Sequence, residues 1–148
     1  MNKQIDIDNS LIGAAGVHFV VSELSLRGLI ALPTTRNTAG IDVVVASQDG
    51  SRYATLQVKS SKNKVSFWPI SKRYEQLCGK NIYYVFVRYL KKEKCFEAFL
   101  EPSEKVVEQV KRNLEENKRG GYKEWAPCWA LPKDEKELNR VQQQWLDF

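Results

Sequence analysis

Two β-rich runs, residues 41–47 and 52–59, flank Asp49-Gly50, and this pairing constrains the chain more than any other stretch. Asp-Gly is a favoured two-residue hairpin turn, because both residues tolerate the left-handed backbone that such a turn requires. That turn sets the register: Asp42 opposite Gln57, Val44 opposite Thr55, Ala46 opposite Tyr53. Strand side chains alternate faces. One face of the hairpin therefore carries Ile41, Val43, Val45, Ala54, Leu56 and Val58. The other gathers Asp42, Gln57 and Lys59 at one end. The apolar face accounts for a buried sheet. It does not account for an acid, an amide and an amine brought together on the opposite side.

The flanking sequence supplies partners for that sheet. Ser10 predicts the cap of a helix running to residue 27, with Gly28 as its stop. Leu11, Ile12, Ala14, Phe19, Val20, Leu24 and Leu26 point nearly all round it, which predicts a largely buried helix. Short strands are expected at 29–33, 82–90 and 95–100, and a short helix at 71–78 ending at Gly79. Pro102-Ser103 starts a helix with Val106, Val107, Val110 and Leu114 on one face. Residues 117–132 read as loop. Asp134 and Glu137 have capping-box spacing before a helix with the stripe Leu138, Val141, Trp145 and Phe148. The order α-β-β-β-α-β-β-α-α predicts one α/β domain over 1–148 with a mixed sheet, its motif core at about 10–67 and a C-terminal helical segment at about 101–148.

Composition narrows the function classes. The 148 residues are 43% hydrophobic, enough for a core. Apolar runs are too short for a membrane span. The N-terminus has no basic-then-apolar leader, so a cytoplasmic location is expected. Cys78, Cys95 and Cys128 fit neither a disulfide framework nor a CxxC zinc site and are expected as buried free thiols. With His18 alone, zinc sites and Ser-His-Asp hydrolysis are poor candidates. The net charge of +5 hides a gradient. Residues 57–94 hold ten basic side chains against two acidic, while the flanks are net acidic. Such a segment attracts an anionic polymer or simply solvates loops between strands.

Glu23 is the only residue charged at neutral pH between Ser10 and Leu26. An unpaired carboxylate on a buried helix costs roughly several kcal/mol, so it calls for a cation, a hydrogen-bond network or a wet cleft. Glu23, then Gly40-Ile41-Asp42, then Gln57-Val58-Lys59 resembles the signature of the PD-(D/E)XK nuclease superfamily. The Gly-Ile-Asp and Gln-Val-Lys-Ser-Ser phrases are similar to those of archaeal Holliday-junction resolvases and modification-dependent restriction enzymes. No Pro precedes Asp42, and Gln57 stands where many members have an acid.

The resemblance implies a restriction-endonuclease-like α/β fold, a central mixed sheet flanked by helices. It implies a metal-dependent endonuclease hydrolysing nucleic acid, with DNA the expected substrate. Glu23, Asp42, Gln57 and Lys59 would form the catalytic set. Glu23, Asp42, the Gln57 side-chain oxygen and the Val58 backbone carbonyl would hold Mg²⁺, with Mn²⁺ able to substitute. Lys59 would orient or deprotonate water and offset charge. Lys62, Lys64, Lys72 and Arg73 follow the motif and are candidate phosphate contacts.

Each residue also has an ordinary role. Asp42 can cap a turn, Lys59 can be a solvated strand end, Gln57 an exposed amide, and Glu23 a partner for Arg27 one turn on. Tyr122, Trp125 and Trp129, beside Lys118, Arg119 and Lys123, either stack on bases or pack the C-terminal segment. A homodimer would place two sites for two strands, with Trp145 and Phe148 a candidate interface. The rival functions are a catalytically weak or inactive accessory or immunity protein of the same fold, and a simple nucleic-acid binder.

Overall fold

Val43, Val44 and Ala46 stand opposite Leu56, Thr55 and Tyr53, the register expected from the hairpin. The turn itself is longer than two residues. Ser47 N–H bonds the Arg52 carbonyl at 3.0 Å, and Gly50 N–H bonds that of Ser47 at 2.9 Å. Within this turn only Gly50 has a positive φ, +72°. The Asp49 carboxylate holds the loop by accepting from the Ser47 and Ser51 hydroxyls. One extra residue on each side of Asp49-Gly50 leaves the pairing unchanged.

The computed structural model describes residues 5–35, 40–120 and 126–148. In chain order its elements are α1 (Asn9–Leu26), β1 (Ile30–Pro33), β2 (Val43–Ala46), β3 (Tyr53–Ser61), β4 (Phe67–Pro69), a 3₁₀ turn (Tyr74–Gln76), β5 (Ile82–Leu90), β6 (Cys95–Pro102), α2 (Ser103–Arg119), β7 (Cys128–Ala130) and α3 (Glu135–Asp147). The central sheet has the order β1-β2-β3-β5-β6. Only β3 and β5 run parallel; the other neighbours are antiparallel. The fold is thus α/β, with a mixed sheet flanked by helices.

Strand alternation splits the core in two. Val43, Val45, Leu56, Val58, Val85 and Val87 pack beneath Val20 and Leu24 of α1. Tyr84, Phe86 and Phe99 face the other way, against Val106 and Val110 of α2. On that side β4 and β7 form a second small sheet in which Trp68 pairs with Trp129. Trp129 is fully buried and stacks on Phe86, 3.9 Å between ring centroids. Three-residue strands carry too little pattern to be legible, so β7 replaces part of the loop expected at 117–132. α2 also runs on to Arg119. Helix α3 straddles the β6 edge, where Arg140 grips the buried Glu101 carboxylate with both terminal nitrogens at 2.8 and 3.1 Å. These hydrogen bonds raise the Arg140 pKa.

Several expectations need correction. α1 is not largely buried: it buries only the i, i+4 stripe Ile12, Gly16, Val20 and Leu24, because the sheet covers one side of it. Leu11 and Leu26 remain exposed. Its cap is Asp8, whose carboxylate accepts the Ser10 N–H at 2.8 Å. Gly28 does end it, at φ +82°. The helix expected at 71–78 shrinks to a 3₁₀ turn, since Tyr74 is drawn into the core. Cys78 and Cys95 are exposed rather than buried. Trp145 and Phe148 are not free for an interface: Trp145 packs on Phe19, and Phe148 meets Tyr83 at 5.3 Å. Among the described residues, no helix is long and apolar enough to cross a membrane.

Candidate active site

The β2–β3 ladder stops at Val43–Leu56, and Asp42 lies at the break. Its backbone is held from both sides: its N–H bonds the Leu56 carbonyl at 2.8 Å, and its carbonyl accepts from Thr34 N–H at 2.9 Å. Its carboxylate then accepts the Val58 N–H at 2.7 Å, substituting for the missing strand partner. Gly40 makes this approach possible. It sits at φ +73°, and a Cβ there would come within 2.8 Å of the Leu77 side chain. Any other residue would be strained by its backbone and would have to displace Leu77.

Gln57 and Lys59 stand on the face of β3 opposite Val58, beside Tyr84 and Phe86 of β5. Gln57 is buried and Lys59 half-buried. Burial lowers the Lys59 pKa, and the nearby Asp42 carboxylate partly opposes that shift. The amine is thus drawn toward its neutral, proton-accepting form while remaining within the field of an anion. In extended chain a residue's N–H and C=O point to the same side, so the Val58 carbonyl also faces β2, beyond its last ladder pair. Asp42, Gln57, Lys59 and the Val58 backbone therefore lie around one notch, where the ladder ends before the Asp42–Gln57 opposition expected from the hairpin.

The structure does not bring Glu23 to this notch, which corrects its expected place in the metal set. Glu23 bonds Arg27 at 3.4 Å. The pair lies in a groove with Phe19, Cys95, Ala98 and Trp145. Arg27 covers the Trp145 ring at 4.5 Å and donates to the Trp145 carbonyl. Apart from Phe19 of α1 itself, these neighbours belong to β6 and α3. β2 and β6 are three positions apart in the sheet, about 14 Å at normal strand spacing. Helix α1 also packs on the sheet face that carries Val58, opposite the face that carries Gln57 and Lys59. An ordinary i, i+4 pair with Arg27 is what the helix spacing alone would suggest.

The basic candidates separate as well. Lys62 is tied to Asp6 at 3.2 Å and to the Ile7 carbonyl at 3.4 Å. Lys64, Lys72 and Arg73 are exposed. Trp129 is a core residue, whereas Tyr122, Lys123 and Trp125 lie outside the described residues. Sequence reasoning missed Leu77, the side chain that Gly40 accommodates; the glycine just before Ile41-Asp42 was the only trace of it in the sequence.

Among the described residues no three His, Cys, Asp or Glu side chains form a metal cluster. The notch offers one carboxylate, one amide oxygen and one backbone carbonyl, all hard donors. Mg²⁺ keeps several waters and commonly takes only one or two carboxylates alongside substrate phosphate, so this set fits it. It does not fit a softer metal that needs His or Cys.

No protein-family model matches the chain. No curated protein matches it either. Among solved structures, the fold is similar to that of a bacterial homing endonuclease, I-Ssp6803I, with a TM-score of 0.55 at 14% identity. The likeness covers 94% of this chain and 90% of that one, so it takes in the whole arrangement of sheet and flanking helices.

Proposed function

We propose that the protein is a metal-dependent nuclease of the PD-(D/E)XK type that hydrolyses phosphodiester bonds in nucleic acid, with DNA as the substrate. One observation carries this reading: the Asp42 carboxylate and the half-buried Lys59 amine share the notch where the β2–β3 ladder breaks. The endonuclease fold of I-Ssp6803I supports it. Asp42, the Gln57 side-chain oxygen and the Val58 carbonyl would hold Mg²⁺, or Mn²⁺ in its place. Bound there, the cation would polarise the phosphate and offset its developing charge.

The chain's own residues supply the rest. Lys59, made less basic by burial, accepts a proton from the attacking water. The water oxygen bonds phosphorus as the bond to the leaving oxygen breaks, and the leaving oxygen takes a proton from solvent. The Val58 N–H fixes the Asp42 carboxylate, so little reorganisation is needed at the moment of reaction. Glu23 has no part in this step. Lys64, Lys72 and Arg73 would meet substrate phosphates from the exposed surface.

The single carboxylate favours one rival, an accessory protein of the same fold with weakened chemistry. Linear, branched and single-stranded DNA and RNA, incubated with Mg²⁺, Mn²⁺ or chelator, separate the two. Cleavage that requires metal and is lost in Asp42→Asn supports the nuclease. Nucleic-acid binding without cleavage under any metal, together with no Mg²⁺ heat in calorimetry, supports the accessory role.

A further inference from the structure

β3 and β5 are the one parallel pair in the sheet, and their carboxyl ends open side by side just past the register pair Ser61–Arg88. A groove of about 340 Å³ lies there, lined by Lys62, Lys64, Tyr89, Lys91, Lys92 and Glu93, among others. Lys62 and Lys64 come from the chain leaving β3; Lys91 and Lys92 come from the turn leaving β5. In sequence the two pairs are more than twenty residues apart and look like separate charged loops. Parallel pairing makes them one patch.

The patch is built rather than frayed. Arg88, buried and bonded to Glu97 at 2.7 Å, donates to the Val65 carbonyl at 2.7 Å and so ties the residue after Lys64 to β5. The Ser61 hydroxyl bonds both the carbonyl and the N–H of Asn63 at 3.2 Å. Lys62 is fastened to Asp6 and to the Ile7 carbonyl. The segment carrying Lys64 is therefore anchored at three points. Lys64, Lys91 and Lys92 themselves are exposed. Lys62 is paired with Asp6, which leaves the three exposed ammonium groups of Lys64, Lys91 and Lys92 against one lining carboxylate, that of Glu93.

From this geometry we infer that the groove is a backbone-phosphate track for the nucleic acid strand that reaches the Asp42–Lys59 notch, an inference that rests on the nuclease reading. Lys62 is three residues beyond Lys59, at most about 10 Å of extended chain. Phosphates of one DNA strand advance about 3.4 Å each along the helix axis. The track thus sits about three phosphates from the candidate site. Ammonium groups reading phosphate give affinity without sequence preference. A protein built on this groove would need base contacts from elsewhere for any specificity.

The test measures binding of fluorescent duplex and single-stranded DNA by anisotropy, in chelator, over a range of salt. The triple variant Lys64→Ala/Lys91→Ala/Lys92→Ala leaves the Lys62 anchor intact and changes only exposed side chains. Its control is Lys80→Ala/Lys105→Ala, at the opposite end of β5, where Ser103 is bonded to Gly79. The expected result is weaker binding in the triple variant, with the log–log salt slope flattened by about 0.9 per lost duplex contact and about 0.7 per single-strand contact. The control should keep the wild-type slope. An unchanged slope in the triple variant overturns the proposal, as does an equal loss in the control or a wild-type protein that binds no nucleic acid. Wild-type binding to phosphatidylserine vesicles that disappears in the triple variant, with the DNA slope unchanged, overturns it in favour of a membrane surface. The nuclease reading fails separately, if the wild type binds DNA and no metal brings about cleavage.

Discussion

Glu23 and Asp42 are both acids set into apolar elements, yet they end in opposite surroundings. Asp42 sits where two strands part, its carboxylate held by a backbone N–H and faced by a lysine made less basic by burial. Glu23 sits where a helix meets a strand and another helix, its charge answered by Arg27 one turn on. An acid beside a fixed cation is already satisfied. An acid beside a hydrogen-bond donor and an amine made less basic by burial keeps acceptor capacity to spare. The contrast shows that an isolated charge in an apolar stretch marks a need for a partner, and the partner decides whether the role is structural or chemical.

The sharpest way to break that contrast is Asp42→Asn. Losing the only carboxylate in the notch should lower cleavage by about 10³-fold or more, since several kcal/mol of charge stabilisation go with it. Single-turnover rates with Mg²⁺ check this; a wild-type rate would dissolve the assignment. Lys59→Ala should cost about 10²–10⁴-fold in the same assay, the usual range for a lost general base.

Arg140→Ala tests, at the Glu101 pair rather than at Glu23, what a purely structural ion pair contributes to stability. It leaves the buried Glu101 carboxylate without its partner and unfastens α3 from β6. A loss of about 2–4 kcal/mol is expected in urea unfolding, somewhat below the cost for a wholly buried pair because Arg140 is partly exposed. Glu23→Gln should do far less. Breaking the pair with Arg27 should cost about 0.3–0.5 kcal/mol and leave cleavage within about twofold of wild type. A collapse of cleavage in Glu23→Gln would mean that this carboxylate does serve the notch.

The smallest effect concerns pH. Burial holds the Lys59 amine below its ordinary value of 10.5, so the unfolded chain binds that proton more readily than the folded one. The group therefore detracts from stability at neutral pH, and the deficit shrinks as pH rises from the lowered folded value toward 10.5. Lys59→Met should melt slightly higher than wild type near neutral pH, with the gap closing in alkaline buffer. Thermal melts across that range check the sign.

The hairpin that carries the notch was legible in the residues. The alternation of 41–47 and 52–59 around Asp49-Gly50 placed Asp42, Gln57 and Lys59 toward one end of the hairpin, and the longer turn kept the register because it adds one residue on each side; a single added residue would have flipped the faces. The helix stop at Gly28 and the cap at Asp134 were equally local; Asp134 accepts the Glu137 N–H at 3.0 Å. The β4–β7 sheet was not legible, since two three-residue strands about sixty residues apart carry no periodicity of their own.

What the sequence determined by itself was the set of groups that short-range geometry forces together: the hairpin, its apolar face and the polar notch at its end. What only the tertiary structure decided was which distant groups meet them. Glu23 faces β6 and α3 because α1 lies on the sheet with its Ile12–Gly16–Val20–Leu24 stripe inward, and that rotation is set by packing rather than by helix propensity. Lys64 joins Lys91 and Lys92 because β3 and β5 run parallel, a choice made by the chain connection between them and invisible in either strand alone. Local rules act over a few residues, whereas burial and strand order are settled by the whole chain at once.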